Sequence, residues 1–234
     1  MICDWTRFRQ RLPACCLLCE RPARGPALCR ECRGDLPWNR QACRRCALPV
    51  PAGQPLCAAC IAAPPRQART LAPLRYEFPV DHLVAGLKYH GRLAHAPLLG
   101  EMLRDHVLAA GAPLPDLLLP VPLHRARLAE RGYNQALEIS RPLVRATGLA
   151  VETRLLQRRR ATAPQMALDA AARARNPEGA FALDAERLAA LGRVRRIAVV
   201  DDVMTTGATL AEIARLLHGA GIRHVDFWVV ARTP

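Results

Sequence analysis

The sequence predicts an α/β protein whose mostly parallel sheet is flanked by helices, with a small cysteine-rich module at its N-terminal side. Two observations lead to this prediction. All ten cysteines lie within the first 60 of the 234 residues. After them, short apolar runs alternate with stretches of helical periodicity, an order that is typical of parallel sheets covered by helices. The hydrophobic fraction of 51% is ordinary for a globular protein and excludes disorder of the whole chain.

The cysteines occur mainly as Cys-x-x-Cys pairs. A Cys-x-x-Cys turn directs two sulfurs at one point, and two such turns complete a tetrahedral all-sulfur shell around zinc. Because cysteine fills every position, each zinc is expected to be structural, and the repeated two-residue spacing disfavours a disulfide framework. We therefore predict two zinc ions held by Cys16, Cys19, Cys29, Cys32, Cys43, Cys46, Cys57 and Cys60.

The order of the four turns suggests how they pair. Gaps of nine and ten residues separate the first turn from the second and the third from the fourth. These gaps favour two sequential ribbons and an internal repeat, although the sequence alone leaves the pairing open. Cys15 is expected to lie beside a site without ligating, and Cys3 is assigned no role. We predict a double zinc-ribbon module over residues 1–64, a domain over 65–234 and a Pro- and Ala-rich linker over 61–73.

The second part of the chain contains candidate strands and helices in alternation. Apolar periodicity predicts helices near residues 80–87 and 98–107, and a buried strand over 117–119. The polar stretch 124–134 is expected to be a loop, and the helix after it is expected to be interrupted by Pro142. The last predicted elements are a buried strand over 197–200, a helix with Leu210, Ile213, Ala214 and Leu217 on one face, and a closing strand over 225–230.

The stretch IAVVDDVMTTGATL, residues 197–210, carries the most chemical information. An apolar strand leads into Asp201 and Asp202, and a hydroxyl-rich turn then leads into a helix. Helix N-termini attract anions through their free N–H groups and dipole, and ligands of open parallel sheets bind beyond the carboxyl ends of strands. Adjacent carboxylates would repel a phosphate, so we assign them to the vicinal hydroxyls of a ribose with Mg²⁺ nearby. The pattern predicts a sugar-phosphate site, and the alternative is that the acids only cap an ordinary helix.

The segment VVDDVMTTGAT resembles the phosphoribosyl-diphosphate (PRPP) loop of type I phosphoribosyltransferases. The Cys-x-x-Cys turns, the segment PVPLHRARLAERGYNQA, the segment QMALDAAARARN and this loop follow the order of the ComF/GntX family, which the chain resembles over nearly its whole length. The resemblance implies a type I phosphoribosyltransferase-like fold. It also implies PRPP with Mg²⁺ as ligand and Mg-dependent transfer of the phosphoribosyl group to an unidentified acceptor.

The resemblance further implies roles for individual residues. Asp201 and Asp202 would hold the ribose hydroxyls and are the catalytic candidates. Thr205 stands where purine salvage enzymes carry an acid, which disfavours a purine acceptor. The PRPP-binding candidates are Val203, Met204, Thr205, Thr206, Gly207, Ala208 and Thr209. The candidates for a diphosphate loop and a catalytic flap are Lys88, Pro120, Val121, Pro122, His124, Arg125, Arg131, Gln165, Arg173 and Asn176.

The charge of the chain keeps other functions open. The formal net charge is +14, and counting each four-cysteine zinc site as −2 leaves about +10. Such a surplus attracts polyanions, and ComF relatives are linked to DNA uptake. One alternative is therefore a non-catalytic competence factor that binds single-stranded DNA and competence or DNA-translocation proteins, and another is a PRPP-sensing regulator. Aromatic residues make up only 4% of the chain, so no base-stacking platform is evident.

The location of the chain is also predicted from the sequence. No run of about 18 apolar residues occurs, so we expect no membrane insertion. A secretory signal has an apolar stretch behind a basic one. The first residues of this sequence lack that pattern. These two features predict a cytoplasmic protein.

Overall fold

The structure is a computed structural model that describes residues 14–23, 27–111, 113–160, 177 and 179–234. In chain order its elements are β1 (Ala14–Cys15), β2 (Pro22–Ala23), α1 (Arg30–Gly34), α2 (Ala58–Ala62), β3 (Arg69–Leu71), β4 (Leu74–Arg75), α3 (Val80–Tyr89), α4 (His95–Ala109), β5 (Leu117–Pro120), α5 (Arg125–Arg131), α6 (Gln135–Thr147), β6 (Ala150–Val151), β7 (Leu156–Arg158), β8 (Phe181–Leu183), α7 (Ala185–Ala190), β9 (Arg196–Met204), α8 (Ala208–Gly219) and β10 (His224–Arg232).

A six-stranded sheet forms the centre of the protein. Its strands lie in the order β3, β10, β9, β5 and β6, and β4 also pairs with β10. Each of these pairs is parallel. Two antiparallel pairs, β1 with β2 and β7 with β8, lie outside this sheet. The predicted class, a mostly parallel sheet with flanking helices and a cysteine-rich module, is confirmed.

Helices cover both faces of the sheet because successive side chains of a strand point to opposite faces. Ala198 and Val200 of β9 pack in one buried cluster with apolar side chains of α3, α4 and α6. Ile197 and Val199 pack in a second cluster with the apolar face of α8. The strand is therefore apolar on both sides, which explains why the sequence shows a continuous hydrophobic run there.

The cysteine-rich module packs onto the same two clusters. Cys16 and Leu28 belong to the cluster under α4, whereas Cys43 and Cys60 belong to the cluster under α8. The expected linker is only partly irregular, because residues 69–71 form edge strand β3 beside β10. The two halves of the module thus continue the hydrophobic core, one on each face of the sheet.

The predicted loop over residues 124–134 is wrong, because most of it forms helix α5. The Nδ1 atom of His124 accepts a hydrogen bond from the backbone N–H of Ala126 at 3.4 Å and caps the start of the helix. Gly132 ends the helix in the left-handed conformation at φ 81°, which glycine adopts without strain. Asn134 then caps α6 by accepting from the N–H groups of Ala136 and Leu137.

The expected interruption at Pro142 is also wrong, since α6 runs through it from Gln135 to Thr147. The proline ring packs against Gly100 of α4. A Cβ placed on Gly100 would lie 2.9 Å from Cγ of Pro142 and 2.4 Å from the carbonyl oxygen of Ile139. The close approach of the two helices therefore depends on the missing side chain of this glycine.

A helix that spans a membrane must be both long and apolar along its length. Within the described ranges, none of the helices combines the length and the apolar character needed to cross a bilayer.

Substitution of Gly100 by Ala should destabilise the fold. The added methyl group would overlap α6, and such overpacking costs about 1–3 kcal/mol of the free energy of unfolding. Gly219→Ala is the matched control, because a Cβ there meets nothing within 4 Å. Denaturant unfolding of both variants measures the difference. Equal stability of Gly100→Ala and the wild type would contradict the close packing of α4 and α6.

Candidate functional site

Two groups of four cysteines each surround one point. The first cysteine cluster comprises Cys16, Cys19, Cys29 and Cys32, and the second comprises Cys43, Cys46, Cys57 and Cys60. Within each cluster the sulfur atoms all lie within 4.8 Å of one another. The predicted sequential pairing is confirmed, and Cys15 is exposed and outside both clusters. Four convergent sulfurs fit a structural zinc ion, so the two clusters fit two such ions.

The two clusters share one backbone design, which supports the internal repeat. Glu20 and Ala47 each follow the second cysteine of a turn and adopt positive φ values of 59° and 54°. The backbone N–H of Glu20 donates to the carbonyl oxygen of Cys16, and the backbone N–H of Ala47 donates to the carbonyl oxygen of Cys43. The second turn of each repeat begins a short helix, with Cys29 before α1 and Cys57 before α2.

The thiols that open each cluster favour the metal-binding form. Burial acts to raise the pKa of Cys16 and Cys43, but N–H groups of the neighbouring turns outweigh it and bring each pKa to about 6. The thiolate is the form that ligates a metal, so these sulfurs are ready to bind near neutral pH.

A cleft lies at the carboxyl ends of β5 and β9. From β5 the chain passes through α6 to β6 on one side, whereas from β9 it passes through α8 to β10 on the other side. The strand order therefore reverses between β5 and β9, which creates a crevice where ligands of parallel sheets bind. The cavity volume of the cleft is about 170 Å³, and the cleft is partly open to solvent.

Asp201 and Asp202, the acid pair, lie on the floor of this cleft. The pair belongs to the end of β9, which continues to Met204, beyond the predicted strand end at residue 200. Burial raises the pKa of Asp201 to about 7, and repulsion by Asp202 adds to this rise. Asp202 is buried, and its Oδ2 atom has no hydrogen-bond partner among the described residues. One oxygen of this cleft-lining carboxylate therefore has unused capacity to accept a hydrogen bond within the described residues.

Lys88, the one lysine of the sequence, pairs with this carboxylate. Its Nζ atom lies 2.8 Å from Oδ1 of Asp202, and its side chain is 22% exposed. Burial acts to lower the pKa of Lys88, but attraction to Asp202 outweighs it and raises the pKa above its ordinary value. A permanently charged ammonium group thus stands beside the acid pair.

The TTGAT turn, residues 205–209, closes one wall of the cleft and leads into α8. Gly207 has a φ of 81°, and a Cβ there would lie 2.5 Å from Cε of Met204. The turn therefore requires glycine. The first N–H groups of a helix have no partner within it, and its dipole is positive at this end. The start of α8 offers a seat for an anion, with Thr205 and Thr209 on the lining.

Basic and aromatic side chains, here called the basic wall, also line the cleft. Arg127 and Arg131 extend from α5, and Arg158 extends from β7. The guanidinium of Arg131 lies 5.9 Å from the ring centre of Tyr89, which is 59% exposed. This wall therefore combines positive charge with an accessible ring.

The structure brings together many of the predicted site residues. Those that line the cleft are Lys88, Val121, Arg131, Asp201, Asp202, Val203, Met204, Thr205, Gly207, Ala208 and Thr209. The residues that do not line it are Pro120, Pro122, His124, Arg125 and Thr206. His124 instead caps α5, and the hydroxyl of Thr206 accepts from the N–H of Ala208 at 3.4 Å. The predictions for Gln165, Arg173 and Asn176 lie outside the described residues.

Several lining residues were missed from the sequence, namely Tyr76, Tyr89, Leu123, Arg127, Gln135, Arg158 and Leu210. Arg127 could have been found, because residues 127 and 131 are four apart and share one face of a helix. The loop prediction concealed that spacing. Tyr76 and Arg158 reach the cleft from distant parts of the chain, and no local pattern marks them.

Loss of one cysteine cluster should remove one zinc ion. We expect two zinc ions per purified chain, and one in Cys16→Ser, because three sulfurs leave the shell incomplete. Metal analysis by mass spectrometry measures the ratio. Cys15→Ser is the matched control and should retain two ions, since Cys15 lies outside the cluster. Two ions in both variants would contradict the assignment of Cys16.

Comparison with known proteins agrees with this architecture. The family model of the double zinc ribbon domain matches residues 9–61. The chain is 36% identical over 230 residues to DNA utilization protein YhgH of Salmonella typhi, covering 95% of this chain and 98% of the relative. It is also 36% identical over 228 residues to the protein of that name in Escherichia coli strain K12, with the same coverage of both chains.

A more distant relative carries a different name. The chain is 29% identical over 221 residues to Competence protein F of Haemophilus influenzae, covering 93% of this chain and 90% of the relative. The matches span both the cysteine-rich module and the α/β part that contains the cleft. The chain therefore belongs to the ComF family, whose members YhgH and Competence protein F it matches over nearly its whole length.

Proposed function

We propose that this protein binds PRPP with Mg²⁺ in the cleft and transfers its phosphoribosyl group to an acceptor. One observation carries the proposal. Oδ2 of Asp202 is buried and has no hydrogen-bond partner among the described residues, and Asp202 lines the same cleft as the TTGAT turn, which requires glycine. An acceptor for hydroxyls and a seat for phosphate are the two features that a ribose 5-phosphate group requires. The strand order also supports the proposal, because the cleft lies where that order reverses.

The acid pair would bind the ribose. Its two hydroxyls are donors, and the carboxylates of Asp201 and Asp202 are acceptors. Burial and repulsion by Asp202 raise the pKa of Asp201, so its ionised form is disfavoured in the cleft without a partner. Hydrogen bonds from ribose hydroxyls would favour the ionised carboxylate and so stabilise the bound state. Lys88 would hold one oxygen of Asp202 in place through their ion pair.

The TTGAT turn would bind the 5′-phosphate. The positive end of the α8 dipole favours an anion, and N–H groups of the turn can donate to its oxygens. Gly207 allows close approach of the backbone, and hydroxyl groups of the turn can add donors. A phosphate seated here would be adjacent to the acid pair, at the opposite end of the ribose from its diphosphate.

The basic wall would receive the diphosphate. Arg127, Arg131 and Arg158 face the same space as the acid pair. In the transfer, the bond between ribose C1 and the diphosphate oxygen breaks, and a lone pair of the acceptor forms the new bond to C1. Mg²⁺ bound with PRPP would neutralise charge on the leaving diphosphate. The arginine side chains would hold that leaving group and balance its remaining charge.

Replacement of the acid pair tests the ligand. In Asp201→Asn/Asp202→Asn, charged acceptors are lost, and a hydrogen bond to a charged group contributes about 1.5–3 kcal/mol. We therefore expect the affinity for Mg-PRPP to fall about 100-fold or more. Calorimetric titration of the zinc-loaded protein measures it. Asp105→Asn is the control and should bind as the wild type does, because Asp105 lies on α4 outside the cleft.

An assay of PRPP consumption decides between phosphoribosyl transfer and PRPP sensing. Release of diphosphate from PRPP in the presence of candidate acceptors, followed by phosphorus NMR, would support transfer. Binding without consumption of PRPP would support the regulator instead. Absence of binding in folded, zinc-replete protein would overturn the proposed ligand.

Replacement of Lys88 tests the role of its charge. In Lys88→Gln the carboxylate of Asp202 loses its positive partner and remains beside Asp201. We expect Mg-PRPP affinity to fall about 10–100-fold, as for the loss of one hydrogen bond to a charged group. Lys88→Arg, which retains the charge, should lose less. Equal loss in both variants would mean that the shape of Lys88, and not its charge, determines binding.

Binding of single-stranded DNA is a second candidate function. It is favoured by the contact of Arg131 with the exposed ring of Tyr89, because such pairs stack on bases. The names of the relatives, DNA utilization protein and Competence protein F, point in the same direction.

Titration of a labelled oligonucleotide at several salt concentrations tests this candidate. DNA binding that weakens in Tyr89→Ala and falls steeply with salt would support it. Competition by Mg-PRPP would show that both ligands share the cleft. DNA binding without any PRPP binding would make DNA the leading ligand.

A further inference from the structure

Arg232, the last residue of β10, is a buried cation that forms no ion pair among the described residues. Its guanidinium instead donates to main-chain carbonyl groups. Nε donates to Cys46 at 3.0 Å, and Nη1 donates to Met204 at 3.1 Å and to Thr205 and Thr233. One side chain therefore joins the second cysteine cluster to the start of the TTGAT turn.

These contacts fix the direction in which backbone N–H groups of the TTGAT turn point. The carbonyl groups of Met204 and Thr205 both point toward Arg232, and the N–H of Thr233 also donates to Met204 at 3.1 Å. In a trans peptide the N–H of the next residue points opposite to the carbonyl. The N–H groups of Thr205 and Thr206 therefore point away from Arg232. Such N–H groups are the donors that an anion at the turn would meet.

The Nε atom of Arg232 is held by the second cysteine cluster. Its partner Cys46 is a member of the second cluster, and Asn39 donates to the adjacent carbonyl of Ala47 at 2.9 Å. Zinc in this cluster would lock the Cys43–Cys46 turn, and with it the direction of the Cys46 carbonyl. A planar guanidinium can reach several carbonyl groups at once, whereas an ammonium group cannot reproduce that geometry.

The first cysteine cluster has different neighbours. Beside it Arg33 pairs with Asp105 of α4 at 3.2 Å. Within the described ranges, Arg232 donates to no residue of this first cluster. The two repeats are alike in backbone design but differ in what they touch, and Arg232 links the second of them to the cleft.

We propose that Arg232 is a positioning residue that couples the second cysteine cluster to the TTGAT turn, so that zinc in this cluster sets the affinity for a phosphate bound there. The inference rests on the proposed function only for the identity of the ligand. It assigns the second ribbon a part in ligand binding, beyond structural support of the fold. Loss of the coupling would loosen the turn while leaving the rest of the sheet in place.

The first arm of the test compares Arg232→Met, Arg232→Lys and the control Arg223→Met, an exposed residue just before β10. Amide hydrogen exchange is measured over residues 203–209 and, as an internal reference, over α4. We expect faster exchange of the turn in both Arg232 variants, with α4 unchanged and with Arg223→Met like the wild type. Unchanged exchange of the turn, or equal acceleration in α4, would overturn the inference. Arg232→Lys keeps the test valid if Arg232→Met does not fold.

The second arm tests whether the effect of Arg232 is confined to the proposed phosphate site at the TTGAT turn. Ribose 5-phosphate and magnesium diphosphate are titrated separately into each variant. Because the N–H groups of the turn would lose their fixed direction, Arg232→Met should bind ribose 5-phosphate about tenfold or more weakly. Its affinity for magnesium diphosphate should be unchanged. An equal loss of affinity for both ligands would show that Arg232 has a general structural role and would overturn the inference.

The third arm compares the two clusters through Cys57→Ser and Cys19→Ser, with zinc content measured in both. We expect faster exchange of the turn in Cys57→Ser only. Equal effects of the two substitutions would contradict the coupling. If the wild type binds neither ribose 5-phosphate nor PRPP, the proposed function is wrong, whereas the exchange measurements still decide the coupling.

Discussion

The structure depends on the central position of strand β9, which pairs in parallel with β10 on one side and β5 on the other. This pairing buries Ile197–Val200 completely and carries the next residues to the edge where the strand order reverses. The acid pair is therefore held on a rigid strand end instead of a loop. Residues from α3, α5 and β7 reach the same place because their elements surround that edge. A ligand site built on a strand end holds its carboxylates with little freedom to move, which favours precise binding of a small ligand.

Electrostatic balance is the second constraint. Two adjacent carboxylates in a cleft repel each other, and the raised pKa of Asp201 expresses that cost together with the cost of burial. Lys88 compensates one of them, and Arg127, Arg131 and Arg158 add further positive charge to the same space. The cleft thus brings two carboxylates and several cationic side chains into one space. PRPP is proposed as the ligand because it has hydroxyl groups in its middle and phosphate groups at its ends.

The cysteine-rich module is integrated with the sheet. Each cluster contributes buried residues to one face of the core, and the second is also joined to β10 and the TTGAT turn by Arg232. Zinc would supply folding free energy to ribbons that are too small to bury a core alone. In this protein the same cysteine turns also extend the two hydrophobic clusters. The module and the cleft therefore share a framework, which is the physical basis for the proposed coupling.

The sequence by itself determined the zinc-binding clusters, the parallel α/β class and the acid pair followed by the glycine turn. Each of these depends on residues close together in the chain, so spacing and periodicity are sufficient to reveal them. Local patterns were misleading at α5 and Pro142, because capping by His124 and the space beside Gly100 allow helices there. Only the tertiary structure decided that Lys88 meets Asp202 and that Arg232 meets Cys46, because the members of each pair lie far apart in the chain. Contacts across such separations follow from strand order and helix packing, and no local pattern in one sequence encodes them.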